Sequence, residues 1–179
     1  MRGYFGIGVE GVSKAMNVGS LYRTAHAFGA SFLFTVGAAY AREEGALADT
    51  SDAPAALPFY EFENVASMRL PAGAVMVGIE LMEGAVDLPS FRHPLRAAYV
   101  LGPERGALSP AIVRRCAHVV KIPTKFSINL ALAGALVMYD RLLSTGKFGA
   151  RPVATGGPVG PVPAHFFGKP AIRRRRANG

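Results

Sequence analysis

The stretch "YFGIGVEGVSKAMNVGSLYRTAHAFGASFLFTVG", residues 4–37, decides the fold, because it places a helical pattern between two apolar, β-prone runs. Residues 4–10 and 31–37 are apolar along most of their length, which is typical of strands that are covered on both faces. Between them, residues 17–29 carry apolar side chains at the spacing of an amphipathic helix. A strand, a helix and a strand in succession predict a parallel βαβ unit.

The predicted helices have recognisable ends. In the first helix, Asn17 is a suitable N-cap residue, and Gly29 suits the position just past the C-terminal end. A second helix is predicted for residues 109–116, with Ser109 as its N-cap and Pro110 as its first helical residue.

The remainder of the chain continues the alternation of strands and helices. A third predicted helix, residues 127–144, is apolar almost all round, so we expect it to be buried on more than one side. The alternation predicts an α/β fold with a mainly parallel sheet flanked by helices. Three further strands are predicted, for residues 74–81, 97–102 and 117–123.

The C-terminal part differs in composition from the rest. We expect residues 1–148 to form one domain and residues 149–179, which are rich in Pro and Gly and include Arg173 to Arg176, to form a flexible tail. This tail either grips RNA or is solvated without a specific task. The 20 Lys and Arg residues outnumber the 12 Asp and Glu residues, giving a net charge of +8. An anionic partner is therefore expected. A membrane surface is disfavoured as that partner, because no amphipathic helix is recognised beside the arginines.

The single cysteine, Cys116, excludes an internal disulfide and suits a reducing cytoplasm. We interpret it as a small buried residue at a helix–strand junction, with a nucleophile as the alternative. The chain has no apolar run long enough to cross a bilayer and no recognisable signal peptide, so we expect a cytoplasmic protein. The histidines show no metal-ligand spacing and are interpreted as packing or surface residues, with no metal expected: His26, His93, His118 and His165.

Residues 6–11, "GIGVEG", fit the glycine pattern G-x-G-x-x-G of dinucleotide-binding loops. In such loops the glycines follow the first strand, a helix begins directly after them, and an acidic residue lies about 20 residues further on. Here Gly6 and Gly8 fall inside the predicted strand, and the helix begins only at Asn17. The glycines are better explained by a neighbouring segment that packs closely against the strand.

Polar residues collect in three stretches. "NVGSLYRTAHAFG" (17–29) contains Asn17 and Arg23, and a solvated surface arginine is the simplest interpretation of Arg23. "LGPERGALSP" (101–110) and "IPTKFSINLALAG" (122–134) each follow a predicted strand, where ligands bind in open α/β sheets. Their polar residues also have ordinary explanations, because Glu104 and Arg105 suit an exposed turn and Ser127 and Asn129 suit a helix cap.

These three stretches, in this order, resemble the three motifs of the SPOUT-class RNA methyltransferases, and most of all those of the SpoU/TrmH family of ribose 2′-O-methyltransferases. The resemblance covers residues 4–145. It implies an α/β domain whose C-terminal part forms a trefoil knot that holds S-adenosylmethionine. It also implies a homodimer whose active site is shared between subunits. The segment "TKF" before the third motif is short, and Ser-Ile-Asn stands where Ser-Leu-Asn or Ser-Met-Asn is common.

The resemblance also implies roles for individual residues. The catalytic set would be Arg23, Asn17, Glu104, Ser127 and Asn129. The cofactor-binding set would be Glu80, Leu101, Gly102, Ile122, Ser127 and Leu130.

The implied function is transfer of a methyl group to a ribose 2′-hydroxyl, with tRNA favoured over rRNA as the substrate and no DNA expected. No additional N-terminal RNA-binding domain is recognised in the sequence, so we expect the dimer surface and the tail to grip the RNA. Three alternatives stay open: an rRNA 2′-O-methyltransferase, a SPOUT enzyme that methylates a base nitrogen, and a non-catalytic RNA-binding protein of the same fold.

Overall fold

The computed structural model describes residues 3–38, 57–146, 148–149, 151–152 and 155–156. The chain divides into two units, Met1–Lys147 and Phe148–Gly179. The helices and strands described below all belong to the first unit. The predicted domain limit at residue 148 and the predicted flexibility of the tail stay predictions, and most of the tail lies outside the described residues.

The described part of the first unit is an α/β structure built on a seven-stranded sheet. All the strand pairs are parallel, and the order of the strands is β3-β2-β1-β6-β4-β7-β5. The predicted α/β fold with a mainly parallel sheet flanked by helices is therefore confirmed. The elements are β1 (Tyr4–Glu10), α1 (Ala15–Ala27), β2 (Phe32–Val36), β3 (Phe59–Phe62), β4 (Val75–Ile79), β5 (Val86–Asp87), a 3-10 turn (Leu88–Ser90), β6 (Arg96–Leu101), α2 (Pro110–Arg115), β7 (His118–Lys121) and α3 (Leu130–Thr145).

Two helix starts differ from the prediction. Helix α1 begins at Ala15 with Lys14 as its N-cap, so Asn17 lies inside the first turn and does not cap the helix. Helix α3 begins at Leu130, three residues later than predicted, and Asn129 is its N-cap. The other predicted ends are correct, since Ser109 caps α2 and Gly29 follows α1 with φ +76°.

The sheet is covered on both faces, which explains its continuous apolar strands. Helices α1 and α3 pack together on one face, where the buried side chains include Ile7, Leu21 and Val137. Helix α2 packs on the other face, where Ile112 lies in one cluster with Phe34 and Met76.

The glycines of β1 allow close packing on the α2 face. A β-carbon on Gly6 would overlap the ring of Phe32, and one on Gly8 would overlap both the ring and the carbonyl oxygen of Phe34. The expectation that these glycines permit close approach is therefore correct. Both lie within β1, and α1 starts five residues after the strand ends, so the arrangement is not that of a dinucleotide-binding loop.

Helix α3 is buried on one side in the single chain, and burial of a second side, against a partner subunit, stays a prediction. Its other side exposes a row of large apolar side chains, with Leu132 60% and Tyr139 49% exposed. Leu136 and Leu142 lie in the same row and are also exposed. Among the described residues, no helix is both long and apolar enough to cross a membrane.

Candidate active site

A cavity lies at the edge of the sheet where β4, β6 and β7 end. Parallel strands end at the same edge, so the loops that follow these three strands surround one space. This space is a concave pocket, open on one side, with polar and apolar residues in its lining. Its lining consists of Ile79, Glu80, Leu81, Leu101, Gly102, Pro103, Glu104, Gly106, Ile122, Thr124, Ser127, Ile128, Leu130 and Ala133.

Glu104 lies at the rim of the cavity, where its carboxylate meets the start of α1. It accepts hydrogen bonds from the backbone N–H groups of Ser13 (3.3 Å) and Lys14 (3.2 Å) and from Asn17 Nδ2 (3.1 Å). A carboxylate at a helix N-terminus is favoured by the helix dipole. Burial raises the pKa of Glu104, but its own backbone N–H, Asn17 and the Ser13 and Lys14 amides outweigh burial and lower the pKa. Glu104 is therefore ionised at neutral pH.

Asn17 connects Glu104 to the third motif. Its Oδ1 accepts a hydrogen bond of 3.0 Å from Asn129 Nδ2, while its own Nδ2 donates to Glu104. The Oδ1 of Asn129 in turn accepts from the backbone N–H of Ala131 at 2.9 Å, which caps α3. The amide groups of Asn17 and Asn129 are thus fixed in orientation. One chain of hydrogen bonds joins the three sequence motifs, which lie up to 112 residues apart.

Two further carboxylates hold the loop of residues 102–109. Glu80 Oε2 accepts from the Leu108 backbone N–H at 2.8 Å, and Glu10 Oε2 accepts from the Ser109 N–H at 2.7 Å. Gly102 is closely enclosed in this loop, since a β-carbon there would lie 3.0 Å from Leu108 N and 3.2 Å from Glu80 Oε2. Glu10 was not predicted as a site residue, although a charged residue at the end of an otherwise apolar strand was a usable signal.

The structure brings most of the predicted site residues together. All six residues of the predicted cofactor-binding set line the cavity, as does Glu104. Ser127 is one of the six and lies on the loop between β7 and α3. Asn17 and Asn129 are joined to the cavity through Glu104. The sequence analysis did not name Thr124 or Ile128, which also line the cavity.

Arg23 is the exception among the predicted catalytic residues. Its side chain is exposed on α1 and does not line the cavity. Arg23 follows Asn17 by six residues, which is about 1.7 helical turns, so the two side chains leave α1 in different directions. Within the single chain, Arg23 is therefore not grouped with Glu104, Ser127 and Asn129.

Cys116 and the described histidines do not line this cavity. Cys116 is at the C-terminal end of α2, where burial raises the pKa of its thiol to about 11, so it is a protonated packing residue at neutral pH. His93 is buried and bonded to Tyr99 and Asp140, whereas His26 and His118 are exposed. His165 lies outside the described residues. Within the described part of the chain, no group of three His, Cys, Asp or Glu residues is arranged to hold a metal ion.

Comparison with known proteins assigns the family. The model of the SpoU rRNA methylase family matches residues 5–139, about three quarters of the chain. The mouse tRNA (guanosine(18)-2'-O)-methyltransferase TARBP1 is 27% identical over 138 residues, which are 72% of this chain and 9% of the mouse protein.

Solved structures show the same fold. An rRNA methyltransferase from Sinorhizobium meliloti matches with a TM-score of 0.70 and 22% identity, over 81% of this chain and 59% of the other. The SpoU methyltransferase AviRb from Streptomyces viridochromogenes, in complex with the cofactor AdoMet, matches with a TM-score of 0.70 and 24% identity, over 80% and 58%. The chain spans less than two thirds of the length of each of these proteins. The extent of the family match and the shared fold show that the chain belongs to the SpoU rRNA methylase family.

Proposed function

We propose that this protein is an S-adenosylmethionine-dependent RNA methyltransferase that methylates a ribose 2′-hydroxyl, with tRNA favoured over rRNA. The observation that carries the proposal is the chain of hydrogen bonds from Glu104 through Asn17 to Asn129 at the rim of the cavity. The activity named for the mouse relative supports the ribose target and the tRNA substrate. The proposed location is the cytoplasm.

The lining of the cavity suits S-adenosylmethionine in its chemistry. The apolar side chains of Leu101, Ile122 and Leu130 suit an adenine ring. A relative of the same fold binds this cofactor. When bound, S-adenosylmethionine supplies a methyl group activated by a sulfonium.

The residues of the chain have to activate a hydroxyl group, which is a weak nucleophile at neutral pH. Guanidinium groups are not deprotonated in proteins, so Arg23 is a poor base. Its role in our proposal is to stabilise the developing alkoxide and the adjacent phosphate through charge-assisted hydrogen bonds. A water molecule or a phosphate oxygen takes the proton.

Glu104 is not the proton acceptor in this mechanism. Its carboxylate already accepts hydrogen bonds from two backbone amides and from Asn17, and these lower its pKa. Glu104 and Asn17 instead hold the ribose or the arginine in place. Ser127 and Asn129 orient the loop and the substrate at the mouth of α3.

The proposal includes a homodimer that completes the active site. Arg23 is separated from the cavity within one chain, and α3 exposes a row of apolar side chains that includes Leu132 and Tyr139. Burial of such a row is the usual driving force for a stable dimer. Arg23 of the partner subunit would then face the cavity.

A trefoil knot in the C-terminal part is also proposed. The order of the sheet supports it, because β6 lies between β1 and β4 while β7 lies on the far side of β4. The chain therefore crosses β4 between β6 and β7 before it continues into α3.

The decisive experiment uses the full chain, S-adenosylmethionine tritiated in the methyl group, and separate tRNA and rRNA pools from a strain that lacks the gene. The labelled RNA is digested to nucleosides, which are separated by chromatography. We expect label in a 2′-O-methylnucleoside from the tRNA pool, and none with an Asn17→Ala variant that still binds the cofactor.

Other outcomes would support the alternatives. Label from the rRNA pool alone would replace the proposed substrate, and label in a base would replace the proposed target atom. A third outcome is a protein that binds RNA, does not bind the cofactor and leaves no label in the RNA. Such a protein would be a non-catalytic RNA-binding protein of this fold.

A further inference from the structure

Two arginines converge on one carbonyl oxygen at the edge of the sheet opposite the cavity. Arg69 Nη1 donates to the carbonyl oxygens of Ala66 (2.7 Å) and Met68 (3.1 Å). Arg115 donates from Nη1 to Val65 O and from Nη2 to Met68 O, at 2.5 and 3.2 Å. Since both side chains bind Met68 O, two of their nitrogens are less than about 7 Å apart.

No carboxylate of the described residues compensates these two positive charges. Within the part of the chain that the structure describes, neither guanidinium forms an ion pair. Like charges at this distance repel each other, and neutral carbonyl groups only partly offset that repulsion. Both side chains are exposed, so the site is accessible to an anion.

The guanidinium groups are also prepared for a ligand. Each arginine uses two of its five N–H donors on the backbone, which leaves three on each side chain. The backbone contacts fix the positions of both groups, so binding an anion costs little further side-chain entropy. Planar, fixed guanidinium forks are well matched to the oxygens of a phosphate group.

The position of the pair separates it from the proposed active site. Arg69 and Arg115 line a groove formed by residues 68–76 and Ala117, which precede or begin β4 and β7. The cavity lies where those strands end. A five-residue strand spans roughly 17 Å, so a polynucleotide at the cavity can also reach this groove.

We infer that Arg69 and Arg115 form a second, sequence-independent binding site for phosphate groups of the RNA backbone, on the α2 face of the sheet. This inference rests on the proposed RNA substrate. The net charge of +8 agrees with a protein that contacts RNA phosphates over more than one surface. The site contributes to RNA affinity and takes no part in methyl transfer.

The test measures the affinity of the full-length protein for fluorescently labelled bulk tRNA at several salt concentrations. The variants are Arg69→Gln, Arg115→Gln and the double variant, because glutamine can still donate to a carbonyl group but has no charge. We expect the slope of log affinity against log salt concentration to decrease by about one for each arginine removed. The maximal rate of methyl transfer at saturating RNA should stay unchanged.

Arg92→Gln is the matched control, since Arg92 is exposed and its neighbour Phe91 packs on the opposite face of the sheet. The inference is overturned if the double variant keeps the wild-type slope, or if Arg92→Gln lowers the slope as much as Arg69→Gln. It is also overturned if the double variant binds inorganic phosphate more weakly than the wild type but binds tRNA equally well.

A purely structural role would appear differently. Arg69→Lys and Arg115→Lys keep the charge but lose the forked contacts with the backbone. We expect these variants to keep the wild-type salt slope of tRNA binding even where their melting temperature falls. A salt slope that decreases together with the melting temperature would overturn the inference. A wild-type protein that binds tRNA without transferring a methyl group would contradict the proposed function. The salt slopes of the arginine variants would still show whether Arg69 and Arg115 bind RNA phosphates.

Discussion

Asn17 Nδ2 donates a hydrogen bond of 3.1 Å to Glu104 Oε1, although the two residues are 87 positions apart in the sequence. The bond joins the start of α1 to the loop after β6. Asn17 also accepts a hydrogen bond from Asn129, so both ends of its amide group are occupied. A change at any of these three residues should therefore affect the other two.

The first prediction concerns the charge of Glu104. In Glu104→Gln, the new NH2 group faces the donors of Ser13, Lys14 or Asn17, and each hydrogen bond that is lost contributes about 0.5–1.5 kcal/mol to stability. We expect the variant to have a lower melting temperature at pH 7 and to lose methyl transfer. Differential scanning fluorimetry and the tritium assay measure the two effects.

The same variant should change the pH dependence of stability. Because the folded-state pKa of Glu104 is lowered, its contribution is present above the ordinary glutamate pKa of about 4.3 and is lost as the pH falls through the folded-state value. The melting temperatures of wild type and variant should therefore converge in acid. A constant difference between pH 7 and pH 3 would contradict this account, and Glu83→Gln, on an exposed loop, is the control.

The second prediction concerns the close packing at Gly102. In Gly102→Ala, the β-carbon would lie 3.0 Å from Leu108 N and would disturb the hydrogen bond from that amide to Glu80. We expect weaker binding of S-adenosylmethionine, by tenfold or more, with a small effect on melting temperature. Isothermal titration calorimetry measures the affinity.

Gly84→Ala is the control for Gly102→Ala. Gly84 has a positive φ of 78° and no neighbour within 4 Å of an added β-carbon, so this change tests backbone strain without crowding. Equal loss of cofactor affinity in both variants would show that the space at Gly102 is unimportant.

The third prediction separates the two explanations of the glycine pattern at residues 6–11. Gly8→Ala should strongly destabilise the fold, because the β-carbon would overlap the Phe34 carbonyl oxygen and ring, and overpacking typically costs about 1–3 kcal/mol or more. Gly11→Ala should cost about 1–2 kcal/mol, from its positive φ of 61° alone. Urea denaturation measures both, and a Gly8→Ala protein as stable as wild type would contradict the packing explanation.

Elements in which consecutive residues are all buried could be predicted from the sequence, because they form unbroken apolar runs. Strand β1 and the βαβ unit were recognisable because every residue from Phe5 to Val9 is buried. Strand β3 was missed because it lies at the edge of the sheet, where Tyr60 and Glu61 are exposed and the apolar pattern is broken. Strand β5 has two residues, too few for any periodicity.

The candidate site shows the same division between local and long-range information. Asn129 was recognisable as a possible cap because capping involves neighbouring residues. Asn17 was wrongly assigned as a cap, because its real partners, Glu104 and Asn129, are 87 and 112 residues away. Such pairings depend on which strand ends meet, and local patterns do not contain that information.

The fourth prediction concerns buried His93. Burial lowers its pKa from about 6.5, and the hydrogen bond to Asp140, which raises the pKa, only partly compensates. A histidine with a lowered folded-state pKa stabilises the fold above its unfolded pKa, and this contribution is lost as the pH falls below about 6.5. We expect Asp140→Asn to steepen the loss of stability between pH 6.5 and pH 5, as measured by urea denaturation.

His118→Gln is the control for this pH effect, because His118 is exposed on β7. Its stability curve should follow that of the wild type. An Asp140→Asn variant with the wild-type pH dependence would show that Asp140 does not support His93 in the folded state.

The last prediction tests whether Arg23 works across a dimer. Arg23→Ala should lower single-turnover methyl transfer by roughly 100- to 1,000-fold, the usual effect of removing a donor that stabilises an oxyanion. Binding of S-adenosylmethionine should stay unchanged, because Arg23 does not line the cavity of its own chain and acts, in our proposal, on the alkoxide and phosphate of the RNA. Asn129→Ala should also be inactive, since Asn129 joins the motifs at the cavity. If each active site combines Arg23 of the partner subunit with Asn129 of its own chain, co-refolding the two variants should restore about a quarter of the wild-type sites.

The restored activity depends on the dimer, so a third change provides the control. Leu132→Glu places a charge in the exposed apolar row of α3, where Leu132 is 60% exposed in the single chain. Introduced into both inactive variants, it should yield folded monomers by light scattering and abolish the restored activity. Restored activity without dimers, or dimers without restored activity, would show that Arg23 does not act on the cavity of the other subunit.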